Sequence, residues 1–197
     1  MCRLIETIKI FKRAVYNIDY HNQRMNNSRK SLFGVDKGID LSNYMLIPEQ
    51  LDDGKYKCRV IYAENIESVE IIPYLKRQIK SLKLVNGNDI TYHHKFLDRQ
   101  DIERLYEQRG HCDDILIIKN GLLTDTSFCN IALFNGNSWY TPEHPLLMGT
   151  KRQKLLDEKK IISKVLQAKE LNNYSKICLF NALIEFGELE IPVTAIG

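Results

Sequence analysis

Two Asn-Gly dipeptides, Asn120-Gly121 and Asn135-Gly136, each stand between apolar runs. Asn-Gly accepts positive φ at both central positions of a two-residue turn, so each pair favours a type I′ hairpin. The flanking runs are Asp114-Ile-Leu-Ile-Ile-Lys119, Leu122 to Phe134 and Ser138-Trp-Tyr-Thr141. They predict a three-stranded meander, with Asp125 to Asn130 on its middle strand.

The first half reads as a second, smaller sheet. Leu4-Ile-Glu-Thr-Ile-Lys-Ile-Phe11 alternates as a strand, and Ala14-Val-Tyr16 is its short partner. Asp19 stands where an N-cap would, and the spacing predicts a helix over 20–32, ended by Gly34. His21, Arg24, Met25 and Ser28 fall on one face of it. A further helix is expected over 36–50, with Leu41 and Tyr44-Met-Leu46 as its apolar side and Pro48 as its stop. Residues 55–62 and 68–74 alternate as strands, giving an antiparallel sheet with helices against one face.

The basic run over 76–83 reads as a solvated connection and sets the expected boundary between subdomains 1–82 and 83–197. Beyond it, 98–109 has helical spacing and ends at Gly110. A helix is expected over 150–159, then strands over 177–183 and 191–196.

Composition narrows the function classes. A net charge of +3, spread along the chain, argues against nucleic acid. No apolar run approaches the roughly 20 residues that span a bilayer, and no secretory layout opens the chain, so a cytoplasmic protein off the membrane is expected. The five cysteines are odd in number, scattered and without C-x-x-C, which favours reduced, mostly buried thiols over disulfides or zinc. His93 and His94 are adjacent on an extended segment and point to opposite faces, so no metal site is expected.

Three pieces carry possible chemistry. They are Lys95, Asp125 in Thr-Asp-Thr-Ser-Phe-Cys-Asn (124–130), and Gly149-Thr-Lys-Arg152. A lysine can form a Schiff base, a strand carboxylate can keep a pyridine nitrogen protonated, and a glycine-opened helix can bind a phosphate. Pattern alone also admits a surface lysine, a strand-edge carboxylate and an ordinary helix start. Arg24 on an apolar face either snorkels or meets an anion. Ser127 and Asn130 place a hydroxyl and an amide near a cofactor, or only stabilise the strand.

Together these pieces resemble the class IV aminotransferase family, the fold-type IV pyridoxal-phosphate enzymes, along almost the whole chain. Leu4-Ile-Glu-Thr-Ile-Lys-Ile10 is similar to the family's opening strand, and His21-Asn-Gln-Arg24 to the helix with its phosphate-binding arginine. Lys95 matches the Schiff-base lysine, 124–131 the strand with the pyridine-nitrogen carboxylate, and Gly149-Thr150-Lys151-Arg152 the phosphate cup. Lys95-Phe-Leu-Asp-Arg99, Leu179-Phe-Asn-Ala-Leu183 and Ile191-Pro-Val193 are closest to the aminodeoxychorismate lyases. The family usually has glutamate where this chain has Asp125. The shorter side chain brings the ring closer or requires a bridging water.

The resemblance implies an α+β fold of two small α/β subdomains with pyridoxal 5'-phosphate between them. It implies Lys95 as the catalytic residue, and Arg24, Lys95, Asp125, Ser127, Asn130, Gly149, Thr150 and Lys151 as cofactor-binding residues. The expected reaction is conversion of 4-amino-4-deoxychorismate to 4-aminobenzoate and pyruvate, in folate biosynthesis. The alternatives are a class IV aminotransferase of branched-chain or D-amino acid type, and a catalytically weak pyridoxal-phosphate-binding homologue. The resemblance also implies a small-molecule amino substrate and a homodimer.

Overall fold

The computed structural model describes residues 2–197, which form two compact units, 2–76 with 94–98 and 77–93 with 99–197. The chain thus leaves the first unit after Lys76 and returns to it for the short segment that carries Lys95.

In the first unit, β1 (Leu4–Phe11) and β2 (Ala14–Val15) precede α1 (Ile18–Phe33), and β3 (Lys55–Tyr62) and β4 (Ile66–Pro73) follow. The strands form one antiparallel sheet in the order β2-β1-β3-β4. Strand alternation sends Leu4, Ile8, Ile10, Cys58, Val60 and Tyr62 to one face, where they bury against Met25 of α1, Leu41 and Met45. Each large side chain buried this way contributes roughly 1.5–3 kcal/mol.

Asn17, at φ 56°, caps α1 two residues earlier than the expected Asp19, which instead lies in the first turn. Gly34 ends the helix at φ 69°, where a residue with a Cβ would be strained.

The helix expected over 36–50 does not form, apart from a single 3₁₀ turn at Leu41–Tyr44. Polar side chains of α1 take up the backbone groups that a helix would need. Arg29 donates to Lys37 O (2.7 Å) and Asn26 exchanges two hydrogen bonds with Ile39 (2.8 and 2.9 Å). Asn22 accepts from Leu41 N (2.8 Å). The apolar spacing was real, but it serves a loop laced to α1.

The second unit holds two sheets. β5 (Leu82–Asn86), α2 (Gln100–Tyr106), β6 (Asp114–Lys119) and β7 (Leu122–Thr126) give the order β5-β6-β7, with β5 parallel to β6. β8 (Asn130–Phe134), β9 (Trp139–Pro142), α3 (Thr150–Asp157), β10 (Ile162–Lys164), β11 (Lys176–Phe180) and β12 (Glu190–Pro192) follow. Their strands form the order β10-β9-β8-β11-β12, and α3 buries Leu155 against Ala132, Cys178 and Phe180.

The expected long strand over 122–134 is therefore two strands in two sheets. The chain turns over 127–129, where the Cys129 N–H donates to Thr126 Oγ1 (3.0 Å) and Thr126 N to Cys129 O (2.9 Å). The meander is broken there, and Asp125 and Asn130 end up flanking the turn. Asn120 and Gly121 both have positive φ, 51° and 77°, as a type I′ turn requires. At the second dipeptide only Gly136 does, because Asn135 Oδ1 accepts from the backbone N–H groups of Asn137 and Ser138 and makes a different turn.

The basic run over 76–83 is solvated only in part. Ile79 and Leu82 are buried, and Leu82 opens β5. The two C-terminal strands are shorter than expected, and a 3₁₀ turn at Val193–Ala195 replaces the end of the last one. Cys58, Cys129 and Cys178 are buried thiols, and all five cysteines are unbridged. Among the described residues, no helix is long and apolar enough to cross a membrane.

Candidate active site

In the first unit, Lys95 is held by its backbone against β1. Ile5 N donates to Lys95 O (2.9 Å) and Leu97 N to Arg3 O (2.9 Å), so Lys95 stands opposite Ile5 and Phe96 opposite Leu4. Phe96 then packs against the apolar core with Leu4.

The core face of β1 carries one charged residue, Glu6, and it is fully buried. His21 Nδ1 lies 2.6 Å from Glu6 Oε2, and Arg24 grips the same carboxylate with Nε (2.9 Å to Oε1) and Nη2. Burial raises the Glu6 pKa, but the Arg24 charge and the His21 contacts outweigh it and hold the carboxyl at about 2. Burial pushes His21 down, Glu6 opposes that, and the charges of Arg24 and Lys95 reinforce it. His94 Nδ1 lies 3.1 Å from Ser28 Oγ on the same helix face. Arg24, for which the pattern left snorkelling or an anion open, grips a buried carboxylate of its own unit.

In the second unit, Asp125 and Asn130 are brought together across the turn between β7 and β8. Asn130 Nδ2 donates to Asp125 Oδ1 (2.8 Å) and to Leu147 O (2.9 Å), while Leu147 N donates to Asp125 Oδ2 (2.9 Å). One amide therefore clamps the β7 carboxylate to the loop that enters α3. That loop ends at Gly149, where an added Cβ would stand 1.8 Å from Asn130 Oδ1, so only glycine fits while the amide holds this position. Burial pushes the Asp125 carboxyl up to about 6, against the opposing pull of the Leu147 N–H, the Asn130 amide and the Arg152 charge.

Gly149 caps α3 with extended backbone and accepts from Gln153 N (2.9 Å). The first N–H groups of a helix have no acceptor within it, which suits an anion. Thr150, Lys151 and Arg152 are buried in that first turn. Lys151 Nζ pairs with Glu185, and Arg152 donates to Pro142 O (2.7 Å).

Ser127 is turned elsewhere. Its carbonyl accepts from the Arg99 guanidinium. Its hydroxyl lies with the buried Asp114, whose carboxyl is raised by burial and drawn back by Ser127. The second unit thus gathers Asp125, Asn130 and Leu147 in one hydrogen-bonded group, with Gly149 packed against the Asn130 amide and the Arg152 charge acting on Asp125.

Glu6 and His21 were missed as a pair. The signal was present, since alternation puts Glu6 among Leu4, Ile8 and Ile10, and a carboxylate in an apolar row needs a buried partner. Helical spacing puts His21 and Arg24 on the face that supplies it.

Comparison with known proteins agrees with this fold. The Amino-transferase class IV model matches residues 52–196, well over half of the chain. An uncharacterized protein of Haemophilus influenzae is 35% identical over 185 residues, 93% of this chain and 98% of its own. A Haemophilus somnus structure, provisionally described as a 4-amino-4-deoxychorismate lyase, is 34% identical. It covers 93% of this chain and 97% of its own, with a TM-score of 0.84. A hypothetical aminotransferase of Mycobacterium tuberculosis in its PLP-bound form shares the fold, with a TM-score of 0.77 at 16% identity. It covers 99% of this chain and 81% of its own. By the length of the family match and by these relatives, the chain belongs to the class IV aminotransferases, a family of pyridoxal-phosphate-dependent enzymes.

Proposed function

We propose that this protein is a pyridoxal-phosphate lyase that converts 4-amino-4-deoxychorismate to 4-aminobenzoate and pyruvate. The observation that carries the cofactor reading is the buried Asp125 carboxylate, clamped by Asn130 and Leu147 beside the start of α3. The choice of lyase over transferase is supported by the likeness to the Haemophilus somnus chain, which runs nearly end to end in both proteins.

The residues present fit the cofactor. Asp125 accepts two hydrogen bonds from the groups named, and a carboxylate has about four lone-pair sites, so it can take a pyridinium N–H as well. Burial that lifts its pKa to about 6 makes a cation beside it favourable. The first turn of α3 suits the phosphate, as does Arg24 if it keeps Glu6 as its anchor.

When bound, the cofactor supplies an electron sink for the pair of electrons left on carbon. Lys95 Nζ would hold the cofactor and be set free as a base once substrate is bound. It then takes the proton from the carbon that bears the substrate amine. Loss of this proton and cleavage of the bond to the enolpyruvyl oxygen leave an aromatic ring. Lys95 Nζ finally returns a proton to the departing group, which leaves as pyruvate. Asp125 would hold the cofactor's ring nitrogen protonated, so that charge developing in the transition state is stabilised in place.

Mixing the protein with 4-amino-4-deoxychorismate and following pyruvate with lactate dehydrogenase and NADH tests the reading. Pyruvate release that depends on Lys95 supports it. Amino transfer to a 2-oxo acid without pyruvate release overturns it in favour of the transferase.

A further inference from the structure

Lys95 stands at the centre of a three-residue turn, closed by the Phe96 N–H donating to His94 O (3.0 Å). The turn is pinned to β1, where Ile5 N donates to Lys95 O and Leu97 N to Arg3 O, both at 2.9 Å. The residues before and after the lysine meet edge to face. The His94 and Phe96 rings have centroids 6.0 Å apart and planes at 74°.

His94 is also tied to α1. Its Nδ1 lies 3.1 Å from Ser28 Oγ, and Ser28 is buried, so that hydroxyl finds its partner inside the protein. A turn of this size has one internal hydrogen bond to hold its shape. The ring contact and the Ser28 contact add the restraint it lacks.

These contacts close a circuit. Ser28 lies one helical turn beyond Arg24 and two beyond His21, on the same face of α1. Arg24 and His21 hold Glu6 of β1, and the neighbouring Ile5 holds Lys95 O. One face of α1 therefore reaches the lysine by two routes, through Glu6 and β1 and through Ser28 and His94. Burial pushes the His21 pKa down against the pull of Glu6, and the charges of Arg24 and Lys95 push it further, as expected of an amine held near this face.

Resting on the proposed function, we infer that His94 is a positioning residue for that reaction. Anchored on Ser28 and set against Phe96, it fixes the turn that presents the Lys95 amine. An amine that must reach one carbon of the cofactor, and later one proton of the substrate, works fastest from a fixed backbone. His94 acts through Lys95 and not on the reacting atoms.

The test mixes full-length apo-protein rapidly with pyridoxal phosphate at a series of concentrations. This separates the half-saturating concentration from the first-order rate at which the visible band grows. His94→Phe keeps a ring and loses the contact with Ser28, Ser28→Ala loses the same contact from α1, and His94→Asn puts an amide where Nδ1 lay. The first two are each expected to slow the first-order rate about tenfold at little change in half-saturation, and the double variant to be no slower than either. His94→Asn is expected to stay within about threefold of wild type. In the apo-protein, hydrogen exchange at the Phe96 amide should rise about tenfold in His94→Phe and in Ser28→Ala. Circular dichroism checks the fold, and the two positions serve as independent variants if one fails to fold.

A first-order rate unchanged in both variants, or Phe96 exchange unchanged in both, overturns the inference. A wild type that forms no borohydride adduct at Lys95 overturns the cofactor reading and this role with it. An adduct in wild type with unchanged variants overturns the role alone.

Discussion

Asn130 Nδ2 donates to Asp125 Oδ1 at 2.8 Å, from the strand after a turn to the strand before it, in a different sheet. The same amide reaches Leu147 O, so the carboxylate, the turn and the entry to α3 are set by one side chain. Asn130→Ala removes both bonds and leaves Leu147 O and Asp125 under-satisfied. A loss of about 2–3 kcal/mol is expected from those buried groups, read from urea unfolding of the apo-protein, together with weaker cofactor binding. An unchanged midpoint would mean that the clamp contributes nothing.

Gly149 and Asn130 should be coupled. Gly149→Ala places a methyl where the Asn130 amide lies, and that amide is pinned by two hydrogen bonds, so a cost of about 1–3 kcal/mol is expected. In an Asn130→Ala background the obstacle is gone and the same change should cost little. A double-mutant cycle reads the difference, and strict additivity would show that the two residues do not meet.

Glu6 and Asp125, both buried, should titrate in opposite directions from their ordinary values. Glu6, held at about 2, binds fewer protons folded than unfolded. Its contribution is present above about pH 4.5 and lost as pH falls toward 2, on the order of 3 kcal/mol. Asp125, raised to about 6, keeps its proton longer in the folded chain, so stability on its account falls as pH rises from about 4 to 6. Carboxyl carbon shifts followed by NMR on the apo-protein should place Glu6 near 2 and Asp125 near 6. Glu6→Gln should flatten the acid limb of the stability curve.

The type I′ turn makes a purely structural forecast. Gly121 has φ 77°, with open space around its missing Cβ, so Gly121→Ala should cost about 1 kcal/mol from backbone strain alone. Thermal unfolding measures it, and an unchanged midpoint would argue against the turn.

Much of this was legible before the fold. The β1 alternation, the α1 face and its Gly34 stop, the first Asn-Gly turn and the start of α3 at Thr150 all follow from local rules. What failed depended on distant partners. The 36–50 segment has helical spacing, but Asn22, Asn26 and Arg29 take its backbone groups. The break at 127–129 has no glycine or proline to announce it, and Thr126 makes the turn with its hydroxyl. Of the site residues, Asp125, Asn130 and Gly149 were named singly, and their joining through one amide was visible only in three dimensions.

The central claim is that Lys95 is the residue that bonds the cofactor. The most direct measurement is the absorption spectrum of purified protein with pyridoxal phosphate, before and after borohydride, for wild type and Lys95→Ala. The account predicts a visible band in wild type, bleached by reduction with a covalent adduct mapped to Lys95, and no such band in the variant. A wild-type spectrum of unbound cofactor alone, or an adduct mapped to another lysine, would contradict it.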